Sequence, residues 1–247
     1  MTALELVALG LVGVLGSAAQ SATGFGVALP LSPVAFALLS PANAVLTVAA
    51  GSLMQNVLVL VTRHRRLALR IGDAVVLTAS ALPGLFIGAL VVSHASKPPM
   101  QLAVGVAILA AVLFRLHEPG RFAGLASREV GAPVGLLAGF LTTTVGVNGP
   151  PLVTWLRARD ATFTQLRDTL AIIFLTLNVA AIPNLTSRGG TIPGTLVPVL
   201  AAGLVVGHVL GLEAHNRLST QALDRVLVVI LIAAAGASIV GASAALL

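Results

Sequence analysis

The sequence predicts an all-α membrane protein of two inverted repeats, each a broken, re-entrant hairpin followed by three transmembrane helices. Three observations predict it. Of 247 residues, 57% are hydrophobic and 9% charged, with a mean hydropathy of +1.03, whereas a soluble domain carries about 25% charged residues. The apolar residues run in long unbroken stretches and do not alternate at period two, so the spans are helices and not barrel strands. Two of the stretches are interrupted by glycine-and-proline segments 122 residues apart.

The first apolar run covers 3–22. Glu5 stands where a signal peptide would carry a basic segment, so this run is expected to stay in the mature protein. Thr23-Gly24-Phe25-Gly26-Val27-Ala28-Leu29-Pro30 interrupts it, combining flexible glycines with a proline suited to the first turn of a new helix. The second arm follows at 27–39. Full spans are then predicted at 43–62, at 72–93 with a kink at Pro83-Gly84, and at 99–117. A linker at 118–129, expected to be cytoplasmic, joins the halves. The second half repeats the plan: a run at 131–145, the break Val145-Gly146-Val147-Asn148-Gly149-Pro150-Pro151, a short arm at 150–156 with Trp155 as an interfacial anchor, and spans at 165–183, 191–211 (kinked at Pro198) and 223–246. At ~20 residues per spanning helix, this leaves no room for a soluble domain. The offset pairs Gly24 with Gly146, Thr47 with Thr169, Asn56 with Asn178 and Gly72 with Gly194. The repeats are thus 1–117 and 130–247.

Charge placement selects the topology. If every broken run crossed the membrane, the 14 Lys and Arg would divide eight against six. If each is a re-entrant hairpin, twelve fall on one side, with Lys97 and Arg188 opposite. Twelve against two follows the positive-inside rule and puts both termini on the periplasmic side. Hairpin plus three crossings is an odd count, so the halves are inverted, a plan common among secondary transporters.

Backbone freed at membrane depth survives only where protein or a water-filled cavity satisfies it. The second arms begin near Val27 and Gly149, and two helix N-termini converging there form a positive dipole field suited to an anion. The polar residues cluster accordingly. Gln20, Ser21, Thr23, Gly24 and Gly26 lie at one tip; Thr142, Thr143, Thr144, Gly146, Asn148 and Gly149 lie at the other. Thr47, Ser52, Gln55 and Asn56 follow on one span, and Thr169, Thr176 and Asn178 on its counterpart. The competing reading is helix–helix hydrogen bonding and small-residue packing. From these, the expected substrate-binding set is Gln20, Ser21, Thr23, Gly24, Gly26, Gln55, Asn56, Thr144, Gly146, Asn148, Gly149 and Asn178. A side chain at Gly24 or Gly146 is expected to block transport with little effect on expression. The anion is expected to be held without a buried cation, since no Lys or Arg lies firmly within a span.

Other functions lack residues. Every carboxylate lies in a loop or near a span end, so no proton-carrying carboxylate relay is legible. Asp168, beside Arg167 in the first turn of its span, reads as helix-dipole compensation or a local ion pair, and His208 as an interfacial histidine. There is no cysteine, no metal motif, P-loop or nucleophile–base set, so no enzyme activity, cofactor or metal is expected. The net charge of +6 sits in loops without aromatic interleaving, which argues against nucleic acid. The expected partners are a small anion and the lipid bilayer. Homo-oligomerisation is left open.

Gly24, Phe25, Gly26 and Pro30, with Gly146, Asn148, Gly149, Pro150 and Pro151, resemble the sulfite exporter TauE/SafE family of membrane permeases. Gln55-Asn56, Arg63-His64-Arg65-Arg66 and Pro83-Gly84…Gly88 add to a resemblance that spans nearly the whole chain. It implies a bacterial inner-membrane carrier, an exporter of small sulfur-containing or organic anions such as sulfite, sulfonates or sulfoacetate. Val27-Ala28-Leu29 is less glycine-rich than the family pattern, and Asn148 stands where a glycine is usual, so the identity of the anion stays open. The alternative is a non-transport scaffold or assembly subunit in which the breaks are packing kinks.

Overall fold

A computed structural model describes residues 1–23, 26–62, 66–116, 126–217 and 220–246. The described residues form ten helices and no strand: α1 (Ala3–Thr23), α2 (Ala28–Leu38), α3 (Pro41–Val61), α4 (Ile71–His94), α5 (Lys97–Leu116), α6 (Arg128–Thr144), α7 (Gly149–Ala158), α8 (Phe163–Thr186), α9 (Leu196–Arg217) and α10 (Thr220–Leu246). Five helices among the described residues are long and apolar enough to cross a membrane: Ala3–Ala22, Pro41–Val61, Ile71–His94, Phe163–Thr186 and Leu196–Ala214. Shorter apolar stretches lie at Lys97–Leu113 and Leu231–Ser243. The chain is a multi-pass α-helical membrane protein.

The broken runs are unequal. At 1.5 Å per residue, the 21 residues of α1 reach about 31 Å and the 11 of α2 about 16 Å. The 17 residues of α6 reach about 25 Å and the 10 of α7 about 15 Å. Each break therefore joins a long arm to one of half-membrane length.

The short helices sit inside. Helix α2 is apolar all round and largely buried, with Leu31, Ala35 and Phe36 at 0% exposure, as expected for a helix with no solvent- or lipid-facing stripe. Its C-terminal carbonyls are held from α5, where Lys97 Nζ donates to Ala37 O at 2.6 Å and Gln101 Nε2 to Phe36 O at 3.1 Å. Helices α3 and α8 pack on each other at the centre. Around them, α1 packs along α9, α6 along α4, and α5 along α10.

Small residues set the two longest contacts. A Cβ on Gly84 of α4 would lie 2.1 Å from Leu136 O of α6, and one on Gly207 of α9 would lie 2.2 Å from Val14 O of α1. Only glycine permits backbones this close, the usual route to tight helix pairs where lipid supplies no hydrophobic driving force. Large apolar side chains cover the outside, among them Leu4 and Leu11 of α1, Val75 and Phe86 of α4, and Val209 of α9. In water these would be a liability, whereas acyl chains solvate them.

Two sequence expectations change, and the structure adds a partner for Asp168. Trp155 is fully buried, with Nε1 donating to Ser127 O at 3.3 Å and the Arg159 guanidinium 4.9 Å above its ring, so it is a packing element and not an interfacial anchor. Pro198 falls in the first turn of α9, where a missing N–H costs no helical bond, so no kink is required. Asp168 is fully buried, and its Oδ2 accepts from Ala68 N–H at 2.8 Å. It fastens the segment before α4 onto α8.

Candidate functional site

The two breaks meet at one small cavity. Helix α6 ends through Gly146, which takes φ +76° and turns its N–H back to Leu141 O at 2.9 Å, the left-handed glycine termination common at helix C-termini. A Cβ there would lie 2.7 Å from Val48 Cγ1 and 3.1 Å from Ser32 Oγ. Gly146 thus serves the fold through both its φ and its packing. Ser32 Oγ of α2 donates to Val145 O, which ties the first short helix to the second tip.

The cavity has a volume of about 30 Å3, and its walls include Gln20, Ser52, Asn56, Asn148, Asn178 and Phe174, with Gly26, Ala28, Gly146 and Gly149. That is room for one or two waters. A molecule larger than that does not fit the cavity as it stands. Gly26 and Gly149 line it with open space at the Cβ position, the nearest atoms being Ala28 N at 3.9 Å and Phe174 Cζ at 3.7 Å.

Both short helices begin at this cavity, and prolines thin out their free donors. Helix α7 starts Gly149-Pro150-Pro151. An N-cap side chain normally accepts from the second or third N–H of the helix, but here both positions are proline. Asn148, the N-cap residue, makes no such bond, and Nδ2 donates instead to Thr142 Oγ1 at 2.8 Å. Its presence is not explained by capping. Of the first-turn donors only the Gly149 N–H remains. In α2, Pro30 removes the third N–H, Leu29 N–H turns to Gly26 O at 3.3 Å, and Val27 N–H goes to Gln20 Oε1 at 2.7 Å. Ala28 N–H is left at the cavity wall.

Side-chain amides supply the rest. Gln20 Nε2 donates to Asn56 Oδ1 at 3.0 Å, an arrangement that fixes the Asn56 amide with its Nδ2 hydrogens available to the cavity. Asn178 Nδ2 donates one hydrogen to Phe174 O at 2.8 Å and retains a second. No ionisable side chain is among the described residues lining the cavity. A smaller pocket shares Gln20, Asn56, Leu170 and Phe174 with it and reaches Arg167 of α8. Arg167, half-buried near the start of α8, borders the adjoining pocket and not the cavity itself.

The model of the sulfite exporter TauE/SafE family matches residues 9–238. The chain belongs to the TauE/SafE family. It is therefore a membrane permease of a family of sulfur-anion transporters. Comparison with the curated proteins and with the solved structures returns no match.

Seven of the expected residues of this TauE/SafE protein share the cavity: Gln20, Gly26, Asn56, Gly146, Asn148, Gly149 and Asn178. Ser21 and Gln55 turn to the other side of their helices, towards His208. Thr144 lines an apolar cavity behind the second tip, with Oγ1 bonded back to Phe140 O at 2.8 Å. Thr23 closes α1, and Gly24 lies outside the described residues. Thr169 accepts from Arg70 N–H, and Thr176 is exposed with its hydroxyl bonded to Ile172 O. Phe174, Leu170 and Val153 were not singled out by sequence. Phe174 precedes Asn178 by one helical turn, and that spacing was the signal available for it.

Proposed function

We propose that this protein is a secondary transporter, acting as an exporter, that binds a small sulfur-containing or organic anion such as sulfite, a sulfonate or sulfoacetate between its two hairpin tips near the membrane midplane. The observation that carries the reading is the cavity where α2 and α7 begin. Its walls present amide donors from Asn56, Asn148, Asn178 and the backbone, and no carboxylate. Hydrogen bonds to a charged group contribute about 1.5–3 kcal/mol each, and the two helix starts add about 0.3–1 kcal/mol each, or up to about 2 when partly buried.

The small volume of the cavity and the way the halves share helices support alternating access. Under the 122-residue correspondence α1 answers to α6 and α4 to α9. The packing of α1 on α9 and of α6 on α4 is then one contact made twice, as a two-fold relation between inverted repeats 1–117 and 130–247 requires. In this reading the hairpins re-enter, both termini are periplasmic, and the basic loops face the cytoplasm across the inner membrane.

Flux decides between transport and a scaffold. Proteoliposomes holding the purified protein should accumulate labelled methanesulfonate or sulfite above empty vesicles. Absence of flux for every sulfonate, sulfite and carboxylate tried would leave the scaffold reading standing.

A further inference from the structure

A second polar cluster lies one residue along from the cavity-lining amides. On α1, Gln20 lines the cavity while Ser21 meets His208 of α9; on α3, Asn56 lines the cavity while Gln55 meets the same histidine. His208 is 4% exposed, so it is not the interfacial residue that sequence position implied. Its Nδ1 lies 2.7 Å from Ser21 Oγ, and its Nε2 lies 2.9 Å from Thr62 Oγ1. Thr62 is exposed at the C-terminal end of α3, so one residue separates the ring from the surface. An ionisable group within a span marks a functional site by default.

The contacts fit a neutral ring. Ser21 Oγ accepts from Gln55 Nε2 at 3.0 Å, which leaves its own hydrogen for Nδ1. Nε2–H then donates to Thr62, whose hydroxyl donates to Leu58 O at 2.7 Å. A proton added at Nδ1 reverses the Ser21 bond and sends the serine hydrogen to a new acceptor. The rearrangement falls on the residues next to Gln20 and Asn56.

Among the described residues the charges nearby are few. Of the helices packed against α9, α1 carries only Glu5 in its first turn, and α3 carries none. On α9 itself Glu213, His215 and Arg217 follow in sequence. Besides the burial of the ring, Arg167 is a positive charge that bears on His208, and it borders the pocket shared with Gln20 and Asn56. A proton on His208 adds a second positive charge that Arg167 repels, and an anion held at Gln20 and Asn56, beside Arg167, offsets that repulsion. We propose that His208 is a proton-binding site coupled to the anion cavity, so that one proton and one anion bind cooperatively. This rests on the anion reading above. By linkage, each ligand then strengthens the other by the same factor. No covalent bond forms or breaks; the proton comes from water and resides on the imidazole.

Calorimetry with methanesulfonate tests this, because the charge of that probe is constant across the imidazole range. Wild-type protein should bind it about tenfold more tightly near pH 5.5 than near pH 8. His208→Gln keeps hydrogen-bonding capacity without a titrating ring and should give a flat profile. Thr62→Val, at an exposed position, should displace the midpoint and decides the matter if His208→Gln does not fold. In proteoliposomes with a trapped pH dye, methanesulfonate entry should carry protons in wild type and not in His208→Gln. A flat wild-type profile, an unaltered slope in His208→Gln, or an unmoved midpoint in Thr62→Val overturns the proton site and leaves the anion site intact. No binding at any pH overturns both.

Discussion

Gln20 Nε2 donates to Asn56 Oδ1 at 3.0 Å, and the same Gln20 accepts the Val27 N–H through Oε1 at 2.7 Å. One side chain therefore holds both the start of α2 and the orientation of the amide on α3. Gln20→Leu should release both. It should weaken methanesulfonate binding about tenfold or more, and lower thermal stability by about 1–3 kcal/mol for the buried Val27 N–H left unpaired. Thermal-shift and binding measurements on the same preparation check the pair of effects. Binding equal to wild type would show that the Asn56 amide does not need its partner.

Gly149 and Gly146 separate function from folding. A Cβ at Gly149 meets nothing closer than 3.7 Å, whereas at Gly146 it meets Val48 at 2.7 Å from a backbone at φ +76°. Gly149→Ala should fold with unchanged melting temperature and lose transport by filling a cavity of about 30 Å3. Gly146→Leu should fail to fold or melt far lower, contrary to the expectation that it would express normally. Equal stability of the two variants in detergent would contradict this division.

Asp73 closes the start of α4 onto the end of α7. Its carboxylate lies 2.7 Å from Arg70 Nε and 3.2 Å from Arg159 Nε, with its side chain 6% exposed. Arg159 is held further by Nη1 to Ala126 O at 2.8 Å. Asp73→Asn leaves two guanidinium groups facing an uncharged partner and should destabilise by roughly 3 kcal/mol. Adding Arg159→Gln should recover part of the loss, as a double-mutant cycle read by thermal shift would show.

Much of the cavity was legible because amides are conspicuous in an apolar chain. Asn56 and Asn178 stand deep in largely apolar spans, and the glycine–proline breaks mark freed backbone. Facing was not legible. Gln20 and Ser21 are neighbours in sequence but about 100° apart around a helix, so one lines the cavity and the other meets His208. The same holds for Asn56 and Gln55. Trp155 and His208 were misplaced because their burial depends on which helix comes to cover them, and no local pattern encodes α1 lying along α9.

Topology follows from the re-entrant reading and can be read on this cysteine-free chain. Ser127→Cys and Asp160→Cys flank the α6–α7 pair at exposed positions, and both should be labelled by an impermeant thiol reagent only from the cytoplasmic side. Ser187→Cys, also exposed, should be labelled only from the opposite side. Labelling of 127 and 160 from different sides would rule out a re-entrant second hairpin.

The most direct test of the anion site is calorimetric titration of wild type, Asn56→Ala and Asn178→Ala with methanesulfonate and with an uncharged sulfone of similar shape. An amide donor to a charged group contributes about 1.5–3 kcal/mol, so each asparagine variant should bind methanesulfonate about tenfold or more weakly, and the sulfone should bind far less well than the anion. Wild-type affinity in both variants, or equal affinity for the sulfone and the sulfonate, would contradict an anion held by amides and helix starts between the two tips.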